Sequence, residues 1–154
     1  MSLMDLRSIR FLCWVAALSV LGCSDDDGEE AIVVLGPPAV SISAPQEGSC
    51  VVLRDDPGRT MRVRIELQNW SLRPQGFCGG VYAQCGFAAF LVDGEVVARS
   101  ASLVTDVPFA ELASPLGNHR ITVELRDDKD EVQLDRVKEP LAASVNVVVA
   151  EACP

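Results

Sequence analysis

The sequence predicts an all-β fold, an antiparallel sandwich of roughly seven strands built from residues 39–154. Three features of the chain point that way. From Ala39 onward apolar residues recur at every second position; the runs are punctuated by Gly, Pro, Asp and Asn; and no convincing helix interrupts them. The first 38 residues read differently, as a signal helix followed by a disordered tether.

The strands follow in order. Val40-Ser41-Ile42 opens the domain and stops at Ala44-Pro45, residues 50–53 form a second short run, and Asp55-Asp56-Pro57-Gly58 turns the chain. Met61, Val63, Ile65 and Leu67 then alternate with Arg62, Arg64, Glu66 and Gln68, so one face meets the core and the other meets water. Residues 87–92 are continuously apolar, as befits a central strand covered on both faces. Asp93-Gly94 joins them to residues 95–99 in a hairpin, because this pair accepts the positive φ of a tight turn. A weaker strand is expected over residues 108–112. Two further alternating strands follow, with Ile121, Val123 and Leu125 inward on residues 119–126, and Val145, Val147 and Val149 inward on residues 144–150. Between them, residues 134–141 suit a short helical turn or a loop.

The amino end carries Arg7 and Arg10, then an apolar run over residues 11–22 that is too short for a bilayer span of about 20 residues. Acidic Ser-Asp-Asp-Asp-Gly-Glu-Glu follows directly. The run is apolar all round and has no polar face, unlike a surface helix. Val20-Leu21-Gly22-Cys23 resembles the lipobox of bacterial lipoproteins. The resemblance implies that residues 1–22 are a signal peptide, that Cys23 is lipidated, and that the membrane is a partner through the acyl chains. An ordinary signal-peptidase site after Gly22 is the competing reading. Ser24 after the Cys, with acid only from Asp25, implies sorting to the outer membrane of the cell envelope. Residues 23–38 then form an acidic tether reaching about 50 Å at full stretch, interrupted by Ile32-Val33-Val34-Leu35, which could dock on the domain or form a stray strand.

Formal charge is −9, from 13 Lys and Arg against 22 Asp and Glu; removing residues 1–22 leaves −10, or 11 against 21. Such a chain does not suit nucleic acid or anionic lipid, whose phosphates need Lys and Arg. Of six Cys, Cys13 would leave with the signal and Cys23 would take lipid. Cys50, Cys78, Cys85 and Cys153 remain, an even set in an exported chain, open to three connectivities. Cys78 and Cys85 flank the Gly-rich FCGGVYAQC loop, so their bridge is the easiest to close. Cys50 then pairs with Cys153, because first and last strands run parallel at one edge of an immunoglobulin-type sandwich. Zinc finds no CxxC pair and only one His.

The stretch Leu112-Ala113-Ser114-Pro115-Leu116-Gly117-Asn118-His119, continued by the alternating strand to Asp127, resembles the E–F corner of bacterial Ig-like and fibronectin-III-like modules. It implies an Ig-like sandwich without implying an activity. It also implies that the ring of His119, standing where related modules place Tyr, packs at the corner and hydrogen-bonds backbone. As a general base His119 would need a nucleophile and an orienting acid, and no Gly-x-Ser-x-Gly elbow exists. Asp127-Asp128-Lys129-Asp130-Glu131 lacks the spacing of a calcium loop and reads as a solvated connection, and Asp25-Asp26-Asp27 lacks it too. Neither a catalytic set, a metal site nor a cofactor is expected.

One loop stands out. With the Cys78–Cys85 bridge closed, Phe77, Gly79, Gly80 and Tyr82 would sit on a rigid clasp near Trp70 at one end of the sandwich. Pre-ordering a loop lowers the entropic cost of binding; equally, the bridge could only staple a long connection. The function expected is a non-enzymatic envelope module, structural or binding protein or glycan. The alternative is a small hydrolase or an accessory subunit of one.

Overall fold

The computed structural model describes residues 36–79 and 84–154. Nine strands are seen, two of them only two residues long: β1 (Ala39–Ala44), β2 (Cys50–Val51), β3 (Thr60–Gln68), β4 (Ser71–Leu72), β5 (Cys85–Val92), β6 (Glu95–Ser100), β7 (Val104–Pro108), β8 (Gly117–Arg126) and β9 (Ala142–Val149). One sheet has the order β1-β3-β7. The other runs β2-β9-β8-β5, with β6 and β4 both on the remaining edge of β5. No helix among the described residues is long and apolar enough to cross a membrane.

The core forms between the sheets. Met61, Val63 and Ile65 of β3 and Val107 of β7 meet Ala88, Phe90 and Val92 of β5, Ile121 and Val123 of β8, and Val147 and Val149 of β9. Alternation drives this in β3, whose arginines face water. Every residue of β5 is buried. Its second face is sheltered in part by long side chains of β8, since Phe87 pairs with Arg126 and Ala89 with Glu124. Those two are largely buried themselves and ion-paired at 2.7 Å. Asp93 (φ 52°) and Gly94 (φ 91°) make the tight turn into β6.

Two expected elements move. The strand expected over residues 108–112 lies at Val104–Pro108, paired with β3 through Met61↔Val107. Phe109 is fully buried, but from a turn whose amides at Phe109 and Ala110 donate to the Gly58 carbonyl. The apolar side chains of Phe109 and Leu112 lie beyond the real strand, whose Thr105 and Asp106 obscure its alternation. The run expected over residues 50–53 keeps pairing only at Cys50 and Val51, parallel to β9. That parallel edge holds the Cys50–Cys153 disulfide, with Cα atoms 5.7 Å apart. By loop entropy, a closure of this length contributes on the order of 4–5 kcal/mol.

The β8–β9 connection is neither helix nor plain loop. It contains one turn built twice, eight positions apart. Asp127 Oδ1 accepts the amides of Lys129 and Glu131 at 2.9 and 3.0 Å, and Asp135 Oδ1 accepts those of Val137 and Glu139 at 2.8 and 2.9 Å. Each turn also pairs the first amide with the fifth carbonyl, and places its fourth residue at positive φ: Asp130 at 66°, Lys138 at 67°. Where the turns meet β8, a ring of backbone bonds closes. Gln133 N donates to Leu125 O, Leu141 N to Gln133 O, and Leu125 N to Leu141 O, at 2.9, 2.8 and 2.9 Å. Backbone groups that would otherwise be stranded at a long connection are satisfied inside it.

Candidate functional site

The clasp lies where β4 runs beside the start of β5. Ser71 N donates to Gln84 O and Arg73 N to Gly86 O, making a short parallel ladder before the chain turns at Pro74. Gly86 is required there. A Cβ on it would lie 2.8 Å from the carbonyl carbon of Arg126 and 3.0 Å from the Cα of Asp127, both backbone atoms with little room to yield. Phe77 N returns to Pro74 O, and Gly76 supplies the positive φ of 85° within that turn.

Asp128 then clamps the loop. One carboxylate oxygen accepts Gly76 N and the other Cys78 N, both at 3.0 Å. Cys78 and Cys85 are buried and disulfide-bonded. Between the two clamped amides, Phe77 is left 73% exposed. A large aromatic ring on a pinned backbone has already lost much of the freedom that binding would otherwise remove. Next to it, Pro74, Gln75, Phe87, Arg99, Ser100 and Ala101 line a shallow cavity of about 210 Å³.

The remaining clasp residues divide. Gly79 is exposed, at φ 53°. Gly80 and Tyr82 lie outside the described residues, as does Cys23 with the whole signal and most of the tether. Trp70, just before β4, is half-buried, its indole N–H shielded without an acceptor. Gly36 and Pro37, read from composition as the end of the tether, are held at this same end. Asn69 Nδ2 donates to Pro37 O at 3.0 Å and Gln84 Nε2 to Gly36 O at 3.2 Å.

An ion-pair network braces the clasp's support. Asp130 receives Arg99 at 2.8 Å and Arg126 at 3.0 Å. Arg99 foremost, helped by Arg126, holds the Asp130 carboxyl below the ordinary carboxylate range against the opposing effect of burial. Burial works against the Arg126 charge, but Glu124 and Asp130 outweigh it and raise its pKa. The acids at residues 127–130 are therefore committed to amides and guanidinium groups. Among the described residues, no group of three or more potential metal ligands occurs.

His119 lies at the opposite end. The expectation that it hydrogen-bonds backbone is corrected: its Nδ1 lies 2.7 Å from Asp93 Oδ2, whose second oxygen accepts Arg120 N at 2.8 Å. The ring meets Phe109 edge-on, with centroids 5.5 Å apart. Burial opposes the charge on Asp93, yet the Arg120 amide and the His119 ring together hold its carboxyl below the ordinary range. This is a His with an orienting acid, two of the three parts of a hydrolytic triad. The third is missing among the described residues, because Nε2 is buried with no hydrogen-bond partner. Asp93 could not be read as its partner from sequence, since 26 positions separate them.

No protein-family model matches the chain, and no curated protein matches it. Among solved structures it is similar to the fibronectin(III)-like modules of Clostridium thermocellum CbhA, at 20% identity and a TM-score of 0.45, over 74% of this chain and 99% of that one. The sandwich itself rests on the strand pairing described above.

Proposed function

We propose that the protein is a lipid-anchored component of the cell envelope, held through Cys23 in the outer membrane, whose sandwich serves as a non-catalytic recognition module for an envelope protein or glycan. The clamp of Asp128 on Gly76 and Cys78 carries the recognition half, because it presents Phe77 to solvent on a fixed backbone. An exposed aromatic ring between two pinned amides is the kind of anchor that recognition surfaces use. The lipobox-like segment ending at Cys23 supports the anchoring half.

The test is capture of partners from solubilised envelopes by the full chain and by a Phe77→Ala, Tyr82→Ala variant of equal thermal stability. The expected result is a partner kept by the first and lost by the second. Identical profiles would leave the clasp a staple. Mass spectrometry of the mature amino terminus checks the anchor separately, since acylation at Cys23 adds the mass of its lipid chains.

A further inference from the structure

The twin turns of the β8–β9 connection share a backbone and differ in what their side chains do. In the first, Asp128 clamps the clasp and Asp130 is gripped by Arg99 and Arg126. In the second, Asp135 only caps its own turn. Arg136, Val137 and Lys138 at its tip are exposed, and their side chains make no hydrogen bond or ion pair among the described residues; Val137 is 74% exposed and neighbouring Leu134 53%. Two cations flank an apolar side chain at a tip whose side chains find no polar partner among the described residues.

Position gives this tip a meaning. Gly36, Pro37 and Pro38 line one cavity together with Leu134, Asp135 and Arg136, so the second turn stands beside the point where the chain from Cys23 joins the domain. Twelve residues separate Cys23 from Gly36, a reach of at most about 40 Å. We propose that the second turn seats on the phospholipid headgroup layer of the anchoring membrane, with Arg136 and Lys138 on phosphate and Val137 and Leu134 among the headgroups. This rests on the anchoring half of the proposed function and is independent of what the clasp binds.

The net charge of −10 that remains without residues 1–22 weighs against anionic lipid only as an average. Both lysines of the protein, Lys129 and Lys138, stand on these two turns. Asp135 turns its charge onto the amides of Val137 and Glu139 and Glu139 adds one exposed acid, while Arg136 and Lys138 on either side of Val137 remain free of ion pairs among the described residues. Long cationic stems beside exposed apolar groups suit an interface where charge reaches phosphate and carbon lies beneath. A lipid chain already holds the domain close, so the turn needs little affinity of its own.

The test uses the full lipidated chain in vesicles of phosphatidylethanolamine and phosphatidylglycerol, with and without brominated acyl chains, which quench tryptophan at short range. Val137→Trp is expected to lose most of its emission in brominated vesicles. Lys129→Trp on the first turn is expected to keep its emission, and both variants are read in a Trp70→Phe background. Adding Arg136→Gln and Lys138→Gln to Val137→Trp should restore emission. Each variant is first matched to the native thermal unfolding curve. A lipidated, vesicle-bound chain whose Val137→Trp stays bright overturns this proposal alone. Equal quenching on both turns overturns the assignment to the second. A chain whose Cys23 carries no lipid overturns the anchoring reading and this one with it.

Discussion

Two turns of the same backbone design, eight residues apart, have opposite fates in this molecule. The first is bound into the domain by three acids: Asp127 shapes it, Asp128 reaches across to the clasp, and Asp130 ties it to Arg99 and Arg126. The second keeps only the shaping acid, Asp135, and leaves its tip in water. A turn is therefore a backbone device whose function is set by the side chains it does not need for its own shape. Where those are acids facing arginines and amides, the turn becomes scaffold. Where they are Arg, Val and Lys with nothing to meet, it becomes surface.

The sharpest break in that contrast lies at the root of the first turn. Gly86→Ala would push a Cβ onto the backbone of Arg126 and Asp127. The collision separates β5 from the turn, so the loss should reach about 3 kcal/mol or more, read from the urea midpoint. A loss below about 1 kcal/mol would show that this joint is loose, and with it the claim that the first turn is scaffold. Next in size are Asp127→Ala and Asp135→Ala. Each strands two amides, as loss of a helix cap does, and each should cost about 1–2 kcal/mol. If the turns are truly one device, the two losses match; a clear inequality would mean that the shared geometry hides different energetics.

How much of this the sequence disclosed depends on the range of the interaction. Strands whose faces differ, such as β3 and β8, are legible because alternation is local. The hairpin at Asp93-Gly94 is legible for the same reason. The strand at Val104–Pro108 is not, because Thr105 and Asp106 interrupt its pattern while Phe109 advertises burial from a turn. The duplicated turn left a signal, Asp127 and Glu131 echoed by Asp135 and Glu139, that an acidic loop and a helical turn read separately concealed. The clasp loop was identifiable from its cysteines and glycines. Its clamp was not, because Asp128 acts on an amide 50 residues away. The same distance effect hid the Asp93 partner of His119.

Acid should dissect the first turn. The Asp130 carboxyl is held below the ordinary range by Arg99 and then Arg126, so the folded chain keeps its negative charge to lower pH than the unfolded chain does. The stabilisation is complete above the ordinary carboxylate range and fades as pH falls through the folded-state value. Backbone amides of residues 127–131 should lose hydrogen-exchange protection over that acid interval in the native chain. In Asp130→Asn this part of the pH dependence should vanish; persistence in the variant would assign the transition to another carboxyl.

The smallest effect sharpens the comparison most, because it isolates backbone from side chain. Lys138 and Asp130 occupy the same left-handed conformation, at φ 67° and 66°. That conformation strains any residue with a Cβ and favours glycine. Lys138 contributes no ion pair among the described residues, so Lys138→Gly removes the strain and nothing else from the fold; at such positions the relief outweighs the added freedom of the unfolded chain, and stability should rise by about 0.5–1 kcal/mol. Asp130→Gly relieves less strain, because Asp tolerates this conformation better than Lys, and it surrenders both guanidinium partners, so it should be destabilising. Opposite signs at two positions with one backbone geometry would establish that the turns differ only in how their side chains are employed. If Lys138→Gly destabilises by more than the added freedom of the unfolded chain costs, about 1 kcal/mol, its side chain has a partner in the folded protein, and the second turn is scaffold after all.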